Sequence, residues 1–186
     1  INKKILIFTI VASTLFPSSI MRSLTFPGWG ELKEYKTHNK DYIKKRSNIF
    51  MLIECGVIIS YLTTNNLADS YKDDYESYGR IYADVDWSGK NDIYAINVGK
   101  FNSMEAYNNY KISIGQLSDT YTNQSYYWNW NNETNRQKFA KIRNKNEKMD
   151  DFASLMIASM LINRLGSFFD VINIKRREGN LFNLDV

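Results

Sequence analysis

The sequence predicts an all-α fold, a long helical hairpin with two apolar segments and a polar helical and loop region between them. The apolar segments, residues 47–66 and 152–174, are separated by a polar region, residues 67–150. No proline follows Pro27, so long helices can continue without interruption. No strand-like alternation persists beyond "DIYAINV" (92–98).

The first apolar segment has the flanks of a membrane helix. Its core, "IFMLIECGVIISYL" (49–62), contains one charged residue, Glu54. A stretch of this length is by itself more typical of a core helix than of a span. The basic residues before it and the Tyr, Thr and Asn residues after it are typical of anchors at the two membrane interfaces. We therefore expect this segment to cross a bilayer.

The second segment, "FASLMIASMLINRLGSFFDVIN" (152–173), places polar residues in an apolar helix. Its apolar residues contribute on the order of −0.3 to −0.6 kcal/mol each to insertion, whereas Arg164 and Asp170 cost about 2.5–3.5 kcal/mol each. The summed gain from the apolar residues and the summed cost of these two charged residues nearly cancel. The polar residues therefore predict a partner helix that compensates for them.

Helical spacing indicates how the two segments pack. Small and polar residues of the second segment recur at intervals of three and four, on one helix face: Ser159, Asn163, Gly166, Ser167, Asp170 and Asn173. In the first segment, Gly56 and Ser60 form a small-xxx-small pair, and Glu54 is placed to neutralise Arg164. We expect this packing to be determined by Glu54, Gly56, Ser60, Asn163, Arg164 and Asp170. The alternative is a soluble helical bundle in which the polar stripe faces water.

The N-terminal residues 1–19 have the pattern of a secretory signal peptide. Two lysines precede an apolar run from Ile5 to Phe16, and small residues follow. We expect residues 20–178 to form a single helical membrane-associated domain, followed by a C-terminal tail, residues 179–186.

Charge and composition limit the function classes. The net charge is +4, and the basic excess lies mainly in "KEYKTHNKDYIKKR" (33–46). Because this run borders an apolar segment, it indicates the water-side flank of a membrane helix and not a nucleic-acid interface. One cysteine, Cys55, excludes a disulfide framework within the chain, and one histidine, His38, leaves little basis for a catalytic pair. We expect no catalytic activity.

The polar region contains further helix signals. "LADSYKDDYESYGRIY" (67–82) continues the first helix, which we expect to end near Gly79. Asn102, with Glu105 three residues later, predicts a helix N-cap. A long helix is expected to begin near Asn132 and to continue into the second apolar segment.

The stretch "DVDWSGKND" (84–92) is the sharpest candidate for a ligand site. It matches positions 1, 3, 5 and 9 of a calcium-binding loop, with glycine at the sixth. The candidate ligands are Asp84, Asp86, Ser88 and Asp92. Ala95 occupies the position of the required bidentate glutamate, so the alternative is an Asp/Ser/Gly turn between helices. Calcium is the only cofactor the sequence suggests.

An aromatic cluster, "YYWNWNNE" (126–133), precedes the long second helix. Such a cluster can stack on sugars or lie at the headgroup level of a membrane. The simpler interpretation is a loop that covers the base of a helix pair.

Proline and glycine predict a tight turn within "SLTFPGWGELKEY" (23–35), formed by Pro27, Gly28, Trp29 and Gly30. This stretch resembles the S-x-x-x-P-G-x-G-Q signature of a family of small bacterial membrane proteins, domain of unknown function 5683. Glu31 stands in place of the family's usual Gln. "INRLGSFFDVIN" (162–173) is similar to the family's final apolar helix through Asn163 and Asp170. The resemblance implies membrane association and no known activity.

These observations predict a structural or protein-interaction protein of the bacterial cell envelope. We expect it to lie in the inner membrane. Basic residues at the outer ends of the two segments (44–46 and 175–177) favour a periplasmic polar region 67–150, but basic residues also precede the second segment from the loop side (138–148), so the count of basic residues leaves the orientation open. The protein's expected partners are the lipid bilayer and either another membrane protein or a second copy of the chain. The alternative is an exported soluble helical module that binds calcium or a glycan.

Overall fold

A computed structural model of the chain describes residues 18–179 and confirms the all-α fold. The described residues form six α-helices, joined by turns and two short 3-10 helices. The α-helices are α1 (Ser19–Thr25), α2 (Trp29–His38), α3 (Asp41–Ala83), α4 (Asp92–Lys100), α5 (Met104–Ser113) and α6 (Glu133–Arg177). The predicted signal peptide and C-terminal tail lie almost entirely outside the described residues.

The two long helices of the predicted hairpin are α3, with 43 residues, and α6, with 45. Each contains a stretch that is long and apolar enough to cross a membrane by length and composition. The predicted beginning of α6 is confirmed, because Asn132 precedes its first residue. The Asn132 side chain accepts a hydrogen bond of 2.9 Å from the backbone N–H of Asn135, as an N-cap does.

The described residues divide into two compact units. Unit 1 contains residues 18–62 and 153–179, and unit 2 contains residues 63–152. Unit 1 therefore holds α1, α2, the first half of α3 and the second half of α6. Both apolar segments of the sequence fall mainly in unit 1.

Unit 2 has an aromatic core. Trp128 is fully buried, and its indole N–H donates a 3.0 Å hydrogen bond to the Phe101 carbonyl. Trp130 is nearly buried and donates one of 2.7 Å to the Val98 carbonyl. Buried indoles satisfied in this way stabilise a core. These two tryptophans are therefore not available to stack on sugars or to lie at a membrane surface.

The boundary predictions in the polar region have mixed outcomes. The predicted end of α3 near Gly79 is confirmed, because the helix ends at Ala83. A Cβ atom at Gly79 would come 2.8 Å from the Trp87 ring, so the glycine also admits the indole. The α5 N-cap is Ser103 and not Asn102, because the Ser103 hydroxyl accepts a 3.1 Å hydrogen bond from the Ala106 N–H. The alternating stretch 92–98 is helical, within α4.

Candidate functional site

Unit 1 buries many polar side chains, beside apolar ones such as Ile43 and Val171, and exposes many large apolar side chains. Its interior contains every buried polar or charged residue that the structure describes. We call this set the polar seam: Ser19, Ser23, Glu31, Glu34, Ser47, Glu54, Asn163, Ser167, Asp170 and Lys175. Large apolar side chains lie on the outside instead, with Leu52 72% and Ile162 70% exposed.

An ion pair joins the two apolar segments at one end of the seam. Nη2 of Arg164 lies 3.1 Å from Oε1 of the fully buried Glu54. The side-chain amide of Asn163 donates a 3.0 Å hydrogen bond to the other Glu54 oxygen and a 3.1 Å hydrogen bond to the Phe50 carbonyl. Both carboxylate oxygens thus have partners, as a buried charge requires. The pairing of Glu54 with Arg164 inferred from helical spacing is present.

Gly56 and Ser60 lie on a different face of α3. Both are exposed, and nothing lies within 4 Å of the position that a Gly56 Cβ would occupy. Gly56, two positions after Glu54, points about 200° away from it around the helix, so Gly56 does not form the predicted contact with α6. The close helix contact lies at Gly166, where a Cβ would come 3.2 Å from the Phe50 ring.

The predicted Pro-Gly turn connects α1 to α2 and packs against the seam. The Gly28 N–H donates a 3.1 Å hydrogen bond to the Ser167 hydroxyl, and the Gly28 carbonyl accepts a 2.8 Å hydrogen bond from the Ser47 hydroxyl. Gly28 has φ +94°, a conformation that favours glycine. A Cβ on Gly30 would lie 2.2 Å from the Ser19 carbonyl oxygen. Both glycines are therefore required by the packing.

The other two turn residues support this arrangement. Pro27 is fully buried, and the Trp29 ring packs against Phe26, with centroids 5.3 Å apart. The motif therefore acts as a compact corner that places α2 on the seam.

Glu31 is a fully buried carboxylate at the beginning of α2. The Ser167 hydroxyl lies 2.8 Å from both of its oxygens. Burial raises the pKa of the Glu31 carboxyl to about 7, although the hydrogen bond from Ser167 opposes this rise; nearby Asp170 raises the pKa further. The group is therefore partly protonated near neutral pH.

The remaining seam carboxylates tie α2 and α3 to α6. Asp170 accepts a 2.9 Å hydrogen bond from Nε of Arg46. Glu34 lies 3.7 Å from Nζ of Lys175 and also accepts a hydrogen bond from the Ser19 hydroxyl. Within the described part of the chain, no buried side-chain nitrogen or oxygen lacks a hydrogen-bond partner.

Sequence reasoning missed the contribution of α2 and of the beginning of α3. Glu31 and Glu34 are three residues apart and thus share a helix face, which was a detectable signal. Ser47 precedes Glu54 by seven residues, two helical turns, and this spacing also indicates a shared face.

The candidate calcium loop is a turn in the structure. The Asp86 carboxylate accepts a 2.9 Å hydrogen bond from the Ser88 N–H, and this bond holds the pKa of Asp86 below its usual range. Asp92 begins α4 and lines a separate pocket of about 190 Å³ with Tyr75 and Asp150. In the described part of the chain, no three His, Cys, Asp or Glu side chains are placed to hold a metal ion. The stretch thus forms a turn between α3 and α4, and calcium binding stays a prediction.

No protein-family model matches the chain, and comparisons with curated proteins and with solved structures also find no match. The resemblance in residues 23–35 and 162–173 therefore stays a prediction.

Proposed function

We propose that the chain is a structural or protein-interaction protein of the bacterial envelope, anchored in the inner membrane by α3 and α6. The observation that carries this proposal is the inverted distribution of polarity in unit 1. Buried charges and exposed large apolar side chains are both unfavourable in water. In a bilayer the same distribution is favourable, because lipid covers the apolar side chains and polar groups find partners inside the protein.

The soluble-bundle alternative requires the polar stripe of α6 to face water. Asn163, Ser167 and Asp170 of that stripe are instead buried. The opposite face of the helix exposes apolar residues such as Leu161 and Phe169. This distribution favours lipid as the surrounding medium.

The polar region 67–150 would project from the membrane into the periplasm. Basic residues lie at the outer ends of both spans, in residues 44–46 and 175–177. Such residues favour the cytoplasmic side. Unit 2, with its tightly packed aromatic core, would then present a rigid surface to partner proteins outside the inner membrane.

Alkaline carbonate extraction of membranes from cells expressing the full-length chain tests the anchoring. We expect the chain to stay in the membrane pellet. A matched pair of variants sharpens the test, since Ile162 and Ile93 are exposed to a similar extent, 70% and 64%. Ile162→Lys should reduce membrane retention because lysine at the lipid face is costly, whereas Ile93→Lys, in unit 2, should not. Release of the unaltered chain, or equal behaviour of the two variants, would contradict the proposal.

Labelling of single cysteines tests the orientation. Cys55 is the only cysteine, so Cys55→Ala gives a background without thiols. In that background, Ser118→Cys should react with a membrane-impermeant maleimide added to cells with a permeabilised outer membrane, whereas Lys36→Cys should react only after lysis. The reverse pattern would overturn the periplasmic assignment.

A further inference from the structure

We propose that one end of unit 1 binds the headgroups of anionic phospholipids; this inference rests on the membrane anchoring proposed above. The surface consists of exposed cations contributed by three helices. We call it the basic collar: Lys36, Lys44, Lys45, Arg176 and Arg177.

Contacts within unit 1 bring the three helices together at this end. Nζ of Lys40, just before α3, lies 2.5 Å from Oε2 of Glu178, just after α6. The Tyr42 hydroxyl donates a 2.9 Å hydrogen bond to the other carboxylate oxygen of Glu178. The ammonium of Lys44 lies 5.4 Å from the centroid of the Tyr35 ring, which connects α2 to the same end. The collar residues therefore surround one end of the unit.

The collar has a net positive charge because the carboxylates around it are mostly engaged with other cations. Asp41 is the exposed carboxylate in residues 29–46 and 170–179. The other carboxylates that form ion pairs there do so with cations outside the collar: Glu34 with Lys175, Asp170 with Arg46, and Glu178 with Lys40.

The position of the collar along the helices matches the depth of lipid phosphates. Lys45 precedes the exposed Leu52 by seven residues, which is about 10 Å along a helix. The headgroup layer on each side of the hydrocarbon core is roughly 5–8 Å thick. When Leu52 lies in the hydrocarbon, Lys45 therefore reaches the phosphates.

Charge complementarity selects anionic over zwitterionic lipids. Lysine and arginine side chains form charge-assisted hydrogen bonds with phosphate oxygens. Zwitterionic headgroups carry a compensating cation, whereas phosphatidylglycerol does not. Each basic residue near an anionic surface strengthens binding by about five-fold, so five of them give a clear preference.

The test is the thermal stability of the detergent-solubilised full chain, titrated with dioleoyl phosphatidylglycerol, dioleoyl phosphatidylcholine or inorganic phosphate. The collar variant replaces all five collar residues with Gln. The matched control replaces with Gln five exposed basic residues of unit 2 that lie farther from the apolar segments: Lys72, Arg80, Lys100, Lys138 and Lys141.

We expect phosphatidylglycerol to raise the Tm of the unaltered chain and of the control. The collar variant should need at least ten-fold more of this lipid for half the effect, and added salt should weaken the effect in the unaltered chain. Equal responses to the two lipids, equal responses of the collar variant and unaltered chain, or the full Tm rise with inorganic phosphate alone would overturn the proposal. A chain retained by carbonate-washed membranes that fails this test would contradict the collar and leave the anchoring intact.

Discussion

The Gly28 N–H donates a hydrogen bond to the Ser167 hydroxyl across 139 positions of sequence. The same hydroxyl donates to the carboxylate of Glu31. One small side chain of α6 therefore receives a hydrogen bond from the turn before α2 and supplies one to the first turn of α2. We infer that Ser167 fixes the position of α2 on the long helices.

Replacement of Ser167 by alanine tests this inference. Ser167→Ala leaves the Gly28 N–H and the Glu31 carboxyl without this partner in a buried site, which costs about 1–3 kcal/mol per group. We expect a lower Tm by circular dichroism in detergent. Ser159→Ala is the matched control, because the Ser159 hydroxyl bonds only to the carbonyl of Leu155 in its own helix. Equal Tm values for the two variants would contradict the role of Ser167.

A double-mutant cycle measures the coupling of Glu54 and Arg164. Each single alanine variant leaves a buried or half-buried charge without its partner, so each should lose about 3–5 kcal/mol. The double variant Glu54→Ala/Arg164→Ala should lose less than either single variant, because no unpaired charge remains. Unfolding by a denaturing detergent provides the free energies. Additive losses would show that the two residues do not stabilise the hairpin as a pair.

Replacement of Glu31 by glutamine should change the pH dependence of stability. Burial raises the pKa of Glu31 above its unfolded value, to about 7. A carboxyl with a raised pKa stabilises the fold most below its unfolded pKa, and this contribution is lost as pH rises through 7. Glu31→Gln keeps the shape without the charge, so it should raise the Tm at pH 8 and leave the Tm at pH 5 nearly unchanged. Thermal melts at the two pH values give the comparison, and a parallel shift at both would contradict the prediction.

Two glycine-to-alanine substitutions should have opposite effects. Gly30→Ala forces a methyl group to within 2.2 Å of the Ser19 carbonyl oxygen, so we expect a lower Tm and faster proteolysis of residues 18–38. Gly56→Ala meets nothing within 4 Å and should be neutral or stabilise α3 by about 0.5–1 kcal/mol. Comparable destabilisation by Gly56→Ala would indicate that another chain packs at this face.

Helical periodicity predicts much of the fold and part of the candidate site. The two long helices follow from the spacing within each segment, and the pairing of Glu54 with Arg164 follows from their opposite charges in otherwise apolar helices. The contacts of Glu31 and Ser47 depend on where the turn at Gly28 lies in space. Local sequence does not specify such a contact between distant segments.

Tertiary contacts explain features that helical spacing does not. Gly79 lies near the end of α3 as predicted, but a tertiary contact with Trp87 accounts for the glycine. Gly56 and Ser60 have the spacing of a contact pair, but the rotation of α3 is determined by Glu54, whose buried charge must face Arg164. Burial of the Glu54 carboxylate therefore determines which face of α3 contacts α6, more strongly than the small residue Gly56 does.

The separation of Gly28 from Ser167 in sequence also has a consequence during synthesis. At about 5–20 residues per second, α6 emerges from the ribosome roughly 7–30 s after the turn that it holds. For that interval Glu31 and the Gly28 N–H lack their partner. Helices α1 and α2 can therefore dock on α6 only after this interval, so any factor that protects them would act within it.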